Sequence, residues 1–272
     1  MKSRILVAAV GIPALLYVVL AAPPWVMMAA LCLLAGIGGM ELQRCVGGVK
    51  RSELVSVSTV AAAVTVGWIY DRDHHLSVII MLVVLLAFFS AIEKGGEVKF
   101  SQIMAGTGGS LFIGWSFASF LRLEASGIHR AYLLLPFILS FACDTFAFFA
   151  GITLGKHKLA PKVSPKKTIE GSAGGLLGNV LCGLLFVWVM DRFFGGSAIG
   201  YGPMALLALL CGVVAQVGDL SFSLIKREFG IKDYGHLFLA HGGVLDRFDS
   251  VLFVAPALEV LIHLAGLVQS HG

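Results

Sequence analysis

A polar stretch near the C-terminus, residues 223–249, is dense in charge and is flanked by hydrophobic segments. Its four basic residues are Lys226, Arg227, Lys232 and Arg247, and its four acidic residues are Glu228, Asp233, Asp246 and Asp249. A loop that only connects two helices does not require these four acidic residues. Carboxylates that hold a metal ion, beside cations that bind phosphate oxygens, are the combination that a nucleotide-using enzyme needs. The stretch is therefore a candidate site for chemistry on phosphates.

Two further acids lie in apolar surroundings. Asp144 and Asp219 each fall inside or near the end of a hydrophobic run, where an ionised carboxylate is costly unless it is paired or faces water. One interpretation is that each makes a polar contact between helices. The other is that both belong to the functional site, which is the default for ionisable residues within a membrane span.

The spacing of the acids favours the functional interpretation. If the helix continues past residue 222, Asp219, Ser223 and Lys226 fall on one stripe, because they stand at positions i, i+4 and i+7. Asp246 and Asp249 share a helix face at i and i+3. Two short helices would then direct three carboxylates and a lysine at one volume, as a two-cation phosphoryl-transfer site requires.

A lysine-rich segment, residues 155–175, is a second candidate. Lysines here can simply anchor the neighbouring spans on the cytoplasmic side. However, Ser164 followed by Pro165 is typical of an N-cap and a first helical residue, which would put Lys166 and Lys167 in the first turn of a helix. Lysines there oppose the helix dipole, and a bound polyanion would resolve that conflict. The segment therefore predicts a phosphate-binding helix N-terminus.

Other polar residues near these segments have two interpretations each. Glu170 has the i, i+4 spacing to pair with Lys166. Glu41 ends a hydrophobic run, either as a snorkelling or as a capping charge. His241 either supplies a ligand or proton donor or belongs to a turn that leads into the next helix. Small-xxx-small spacing predicts helix packing, rather than a phosphate loop, for Gly171, Gly174, Gly175 and Gly178.

The remainder of the chain predicts a membrane protein with an all-α fold. Of its 272 residues, 58% are hydrophobic and only 13% are charged, with a mean hydropathy of +0.91, which excludes an ordinary soluble domain. Hydrophobic runs predict about nine transmembrane helices, near residues 5–22, 25–41, 53–70, 76–92, 104–121, 131–150, 171–190, 203–222 and 251–268. We expect one membrane domain, 1–272. Its N-terminal helices, 1–125, have no assigned role, and its catalytic half, 126–272, carries cytoplasmic loops 152–170 and 223–250.

The distribution of Lys and Arg predicts the orientation. With the N-terminus in the cytoplasm, 16 of the 20 basic residues fall on the inner side. The four outside are Arg72, Arg122, Arg130 and Arg192. This positive-inside bias places both polar loops on the cytoplasmic face, where nucleotides are available.

The C-terminal half closely resembles the signature of phosphatidate cytidylyltransferases, also called CDP-diacylglycerol synthases. The matching positions are Ser223-x-x-Lys226-Arg227, Lys232-Asp233-x-Gly235 and His241-Gly242-Gly243-x-x-Asp246-Arg247-x-Asp249. Upstream, the resemblance includes Gln216-x-Gly218-Asp219, Asp144 and the SPKKTIEG loop. Leu239 and Phe148 depart from the family pattern, but neither replaces a charged group.

The resemblance implies a membrane enzyme that condenses CTP with phosphatidic acid to CDP-diacylglycerol and pyrophosphate, with Mg2+ and a possible second cation as cofactors. The implied metal ligands are Asp219, Asp246, Asp249 and Asp144, and the implied catalytic residues are Asp219, Lys226, Asp246 and Asp249. The implied substrate-binding residues are Ser223, Arg227, Lys232, Asp233, His241, Arg247, Lys166, Lys167 and Ser164. We expect an integral protein of the bacterial cytoplasmic membrane, with membrane lipid around it, no nucleic-acid partner, and a homodimer as one possible assembly.

Three alternatives remain open at this point. A CTP-dependent lipid kinase would use similar carboxylates but release CDP instead of pyrophosphate. A related synthase would act on another lipid phosphate, although the full signature and the SPKKTIEG loop favour phosphatidate. A transporter would predict inverted halves with broken helices in both, whereas only the second half of this chain is rich in charge.

Overall fold

The computed structural model describes residues 2–47, 52–67, 75–93, 99–235, 237 and 242–265. Its α-helices are α1 (Lys2–Leu20), α2 (Pro24–Gly47), α3 (Ser52–Val66), α4 (His75–Glu93), α5 (Phe100–Ile103), α6 (Gly109–Ala125), α7 (Leu135–Leu154), α8 (Ile169–Phe193), α9 (Tyr201–Glu228) and α10 (Leu245–Leu264). A π-helical turn, Met104–Gly108, leads into α6, and a 3-10 turn, Arg130–Leu134, leads into α7. In the described residues, the β structure consists of two short antiparallel strands, β1 (Lys158–Ala160) and β2 (Ser164–Thr168).

The helices confirm the predicted all-α membrane bundle. Each predicted hydrophobic span coincides with one long helix of the described chain. Four segments are long and apolar enough to cross a membrane by length and composition, namely Pro24–Gly47, Arg130–Leu154, Ile169–Phe193 and Tyr201–Glu228. The chain is thus an integral membrane protein by its helices, and the count of nine crossings stays a prediction.

The chain divides into two compact units. The first contains Met1–Arg122 and Glu228–Phe248, and the second contains Leu123–Arg227 and Asp249–Gly272. The polar stretch 223–249 therefore contributes residues to both units. The assignment of catalysis to 126–272 stays a prediction.

Helices α7 and α8 form an antiparallel pair that is the most closely packed part of the second unit. A methyl group added at Gly174 would collide with the Cβ of Ala150, and one added at Gly178 would collide with the ring of Phe146. At Gly175 it would lie 2.8 Å from the Cys143 carbonyl oxygen. The glycines let the two helix backbones approach closely, as small residues do in membrane helix pairs. This confirms the prediction that they serve helix packing.

Helix α9 packs between α8 and the later part of α10. Asn179 Nδ2 on α8 donates a hydrogen bond to the Ala208 carbonyl on α9, at 2.8 Å. A methyl group at Gly218 would lie 3.0 Å from the Phe253 ring of α10 and 3.1 Å from the Asp249 carbonyl oxygen. The close approach at Gly218 therefore places α10 beside the α9 turn that carries the next residue, Asp219.

The segment between α7 and α8 shows that the predicted helix start at Ser164 was wrong. Ser164 begins strand β2, and it pairs with Ala160 while Thr168 pairs with Lys158. Thr168 is the N-cap of α8, since its Oγ1 accepts a hydrogen bond from the Gly171 N–H at 3.1 Å. Lys166 and Lys167 thus lie on a strand that precedes the helix, and the argument from the helix dipole does not apply to them.

Hydrogen bonds between the start of α8 and the residues just before β1 hold the two ends of the β1–β2 hairpin together. The Glu170 carboxylate accepts from the backbone N–H of Lys156 at 3.0 Å and of His157 at 3.2 Å. It also contacts His157 Nδ1 at 2.6 Å, and the Ile169 N–H donates to the His157 carbonyl at 2.9 Å. The predicted pair of Glu170 with Lys166 was therefore wrong. The carboxylate instead closes the base of the β1–β2 hairpin.

Candidate active site

The β1–β2 hairpin brings one of its lysines to helix α9. Lys167 Nζ forms an ion pair with Asp219 Oδ2, and the two side chains are 25% and 21% exposed. Lys166, the preceding residue on β2, is exposed to solvent. The structure thereby joins a residue predicted to bind phosphate with one predicted to bind a metal ion.

A polar stripe runs along the last turns of α9. The helix continues to Glu228, so the condition on which the predicted stripe depended is met. Ser223 Oγ donates to Asp219 Oδ1 at 3.3 Å, and Lys226 follows at the i+7 position of the same helix. Asp219 therefore has a lysine on one carboxylate oxygen and a hydroxyl on the other.

The acids of the second unit lie within electrostatic reach of one another. Asp219 and Asp144 both repel the carboxylate of Asp249, while Lys226 attracts it. The backbone N–H of Ser250 donates to Asp249 Oδ1 at 2.7 Å. Three helices, α7, α9 and α10, thus contribute one acid each to a region in which two lysines, Lys167 and Lys226, face three acids.

These acids do not form a complete metal cage. Across the described parts of the chain, no group of three or more His, Cys, Asp or Glu side chains has the arrangement needed to hold a metal ion. Magnesium, however, is commonly held by one or two carboxylates together with waters and substrate phosphates. The assignment of Asp144, Asp219, Asp246 and Asp249 as metal ligands stays a prediction.

Asp246, in the first unit, accepts two hydrogen bonds from the backbone of Tyr234 and Gly243. Its Oδ2 accepts from the backbone N–H of Tyr234 at 2.8 Å and of Gly243 at 3.0 Å. Gly242 has a left-handed backbone with φ of +81°, and a methyl group there would lie 2.7 Å from the same oxygen. The carboxylate therefore ties the backbone of Tyr234 and Gly243 to the first turn of α10, and its assignment as a metal ligand stays a prediction.

Glu41 of α2 caps the N-terminus of α10. Its Oε1 accepts from the Val244 N–H and its Oε2 from the Leu245 N–H, both at 3.0 Å. The side chain is only 4% exposed. Of the two predicted roles for Glu41, snorkelling and capping, the structure shows capping, and the capped helix lies 203 residues further along the chain.

The other predicted substrate-binding residues lie at exposed or half-buried positions where the structure describes them. Arg227 is exposed, and its Nε donates to the Val163 carbonyl at 3.4 Å. Ser164 is half-buried at the start of β2, and His241 lies outside the described residues. The remaining positions, all exposed, are Lys232, Asp233 and Arg247.

One polar contact near the site was not predicted from the sequence. Gln216 Oε1 accepts from Ser172 Oγ, and Gln216 Nε2 donates to the Ser172 carbonyl at 3.0 Å. The contact ties α9 to α8 three residues before Asp219. A glutamine inside an apolar helix is the signal that could have revealed it, because a buried amide needs hydrogen-bond partners.

Comparison with known proteins identifies the family. A sequence model described as the cytidylyltransferase family matches residues 2–265. The chain belongs to the cytidylyltransferase family. The resemblance inferred from the signature is thereby confirmed, and it extends over the N-terminal helices as well as the polar loops.

Curated bacterial relatives are named phosphatidate cytidylyltransferase. That of Staphylococcus haemolyticus (strain JCSC1435) is 40% identical over 151 residues, which are 56% of this chain and 55% of that protein. That of Staphylococcus saprophyticus subsp. saprophyticus is 38% identical, and that of Staphylococcus aureus (strain COL) is 40% identical, with the same shares covered. The matched region thus spans about 55% of the length of these relatives.

Proposed function

We propose that this cytidylyltransferase-family protein transfers the cytidylyl group of CTP to phosphatidic acid, forming CDP-diacylglycerol and pyrophosphate. The observation that carries the proposal is the contact of Lys167 with Asp219 beside Ser223 and Asp249. It supports the proposal because it brings a lysine predicted to bind phosphate against a carboxylate predicted to bind a metal ion. The names of the staphylococcal relatives support the same substrates.

The proposed reaction needs no strong general base. A phosphate oxygen of phosphatidic acid, already anionic, attacks the α-phosphorus of CTP. The new P–O bond forms as the bond between the α-phosphorus and the α–β bridging oxygen breaks, and pyrophosphate leaves with that oxygen. Catalysis then depends on aligning the two reactants and neutralising the charge on their oxygens.

The acids of the second unit fit a Mg2+ ion that accompanies CTP. Asp219 and Asp249 would hold it, and a second cation would lie at Asp144. The fit rests on the mutual repulsion of these carboxylates, which a divalent cation would relieve, and on the preference of Mg2+ for one or two carboxylates plus phosphate oxygens. The cation would supply charge neutralisation at the reacting phosphates.

The cations of the protein bind and orient the phosphates. Lys167 contacts Asp219 at its Oδ2, so it lies at the position where phosphate oxygens would meet the carboxylate-bound cation. Lys226 and Arg227, at the end of α9, bind the remaining phosphate oxygens as charge-assisted donors. Lys166, exposed on β2, reaches the distal phosphates that leave as pyrophosphate.

The location of the reaction is part of the proposal. The 16 to 4 distribution of basic residues supports a cytoplasmic face for the loops 152–170 and 223–250. CTP is available on that face, and phosphatidic acid reaches it from the bilayer. The bacterial relatives support a place in the cytoplasmic membrane.

The test is pyrophosphate release by detergent-purified protein. We expect release only when CTP, phosphatidic acid and Mg2+ are all present, and loss of release in Asp249→Asn. Asp191→Asn is a matched control, because this carboxylate accepts from the Ser197 N–H at 2.7 Å at the opposite end of α8. Release that does not require phosphatidic acid, or an Asp249→Asn variant as active as Asp191→Asn, would contradict the proposal.

A further inference from the structure

We infer that Glu41 is a positioning residue for the reaction, acting through the start of α10. The inference rests on the proposed function, since Asp246, Arg247 and Asp249 are predicted site residues within the first five residues of that helix. It also assigns a role to the N-terminal helices, for which the sequence predicted none.

The contact satisfies two backbone donors with one buried carboxylate. Both oxygens of Glu41 are used, one by Val244 and one by Leu245, each at 3.0 Å. The first N–H groups of a helix have no partner within the helix, and the positive end of its dipole favours an anion. Because Glu41 is 4% exposed, water is a poor substitute for it.

The surrounding loop is shaped around this carboxylate. A methyl group added at either Gly235 or Gly243 would collide with Glu41 Oε1. Asp246 contacts the same two described segments, because it accepts from the N–H groups of Tyr234 and Gly243. Glu41 and Asp246 therefore both contact the backbone at residues 234–235 and 243–245. This backbone has room for glycine alone at the positions next to Glu41.

Only a carboxylate of this length satisfies both donors. In Glu41→Gln the amide presents one acceptor and one NH2 group, so one backbone N–H would face another donor. In Glu41→Asp the side chain is shorter by one methylene and reaches the two N–H groups less well. If Glu41 only stabilised α2, replacing another buried polar residue of α2 would lower kcat by the same factor.

Gln43 provides the matched control. It lies on α2 two residues after Glu41, is 1% exposed, and accepts a hydrogen bond from Ser58 Oγ of α3 at 3.0 Å. Gln43→Ala therefore disturbs the packing of α2 without removing a contact to α10. Thermal stability in detergent should fall in this variant, while the turn at 242–245 stays held by Glu41.

The experiment combines turnover with backbone hydrogen exchange in the full-length purified protein. At saturating CTP and phosphatidic acid, we expect kcat to fall by about tenfold to hundredfold in Glu41→Gln, on the scale of one lost charge-assisted hydrogen bond. KM for CTP should change little. Hydrogen exchange in peptides covering 242–250 should be faster in Glu41→Gln than in the unaltered protein. In Glu41→Asp, both kcat and the exchange rate should lie between those of Glu41→Gln and the unaltered protein.

The outcomes separate this inference from the proposed function. If Glu41→Gln keeps kcat within about threefold of the unaltered protein, or if Gln43→Ala loses as much kcat and protection, the inference is wrong. If the unaltered protein releases no pyrophosphate, the proposed function fails. The exchange measurement then still decides whether Glu41 holds the start of α10.

Discussion

Replacing Lys167 by Gln tests the contact on which the proposed site depends. Lys167 and Lys166 are neighbours on β2, carry the same charge and lie on the same loop. Only Lys167 is directed at α9, where it pairs with Asp219. Lys166→Gln therefore removes an equal charge from the loop while keeping the Asp219 contact, so the difference between the two variants measures that contact beyond the exposed role proposed for Lys166.

The expected magnitude follows from burial. The Lys167 and Asp219 side chains are 25% and 21% exposed, so their contact is screened less than a surface pair. A charge-assisted hydrogen bond of this kind contributes about 1.5–3 kcal/mol, and about 1.4 kcal/mol corresponds to a factor of ten in rate. We therefore expect kcat/KM for CTP to fall roughly tenfold to hundredfold in Lys167→Gln.

The exposed control should respond much less. Exposed charge pairs contribute about 0–1 kcal/mol, so Lys166→Gln should lower kcat/KM by about fivefold at most. Replacing both lysines should lower it by roughly tenfold to several hundredfold, the sum of the two single effects in free energy. Both loops should remain cytoplasmic, because 14 of the 20 basic residues would still lie on the inner side.

A double-mutant cycle identifies the partner of Lys167. If Lys167 and Asp219 act as one unit, Lys167→Gln should cost much less in an Asp219→Asn background than in the unaltered protein. The assay is initial-rate pyrophosphate release at varied CTP and saturating phosphatidic acid. Equal losses for Lys166→Gln and Lys167→Gln, or strictly additive losses in the cycle, would refute the reasoning.

Three further predictions concern the cap, the cation and the topology. Thr168→Ala should lower the free energy of unfolding by about 1 kcal/mol in a detergent melt, because it removes the N-cap of α8. Ser164→Ala should have little effect. A larger loss of stability in Ser164→Ala than in Thr168→Ala would show that Ser164 is the N-cap. Asp249→Asn should require far more Mg2+ for half-maximal activity, because an amide is a poor ligand; an unchanged Mg2+ titration would remove Asp249 from the metal assignment. Lys158→Cys and Lys232→Cys, both at exposed positions, should be labelled from the cytoplasmic side only, and labelling from opposite sides would contradict the predicted topology.

Hydrophobicity predicted the helices well because the membrane imposes their length. Runs of about 20 apolar residues are required to cross the hydrocarbon core, and the predicted spans coincide with the long helices of the described chain. The helical extension of α9 past residue 222 also brings Asp219 and Ser223 together as their spacing predicts. Local sequence patterns were sufficient to predict both the hydrophobic helices and the contact between Asp219 and Ser223.

The errors concern contacts between distant segments. Ser164 and Pro165 have the local pattern of a helix start, but pairing with β1 and the bonds of Glu170 to Lys156 and His157 decide the structure. Thr168 followed by an acid in the first turn was a competing cap signal in the sequence. Two strands of three and five residues have too little periodicity to be recognised.

The partner of Glu41 could not be predicted from local sequence. An acid at the end of a span is compatible with snorkelling or capping, and nothing nearby identifies a helix 203 residues away as its partner. The same holds for Lys167, whose charge predicted phosphate binding but not the contact with Asp219. Charge and spacing predict the chemistry of these residues, whereas tertiary packing determines which of them contact one another.

The most direct test of the proposed reaction follows individual phosphorus atoms of CTP. Purified protein would be incubated with phosphatidic acid, Mg2+ and CTP labelled on either the α- or the γ-phosphorus. If the lipid phosphate attacks the α-phosphorus, the α label should appear in the lipid product and the γ label in pyrophosphate. Transfer of the γ label to the lipid, with release of CDP, would contradict cytidylyl transfer and identify a lipid kinase instead.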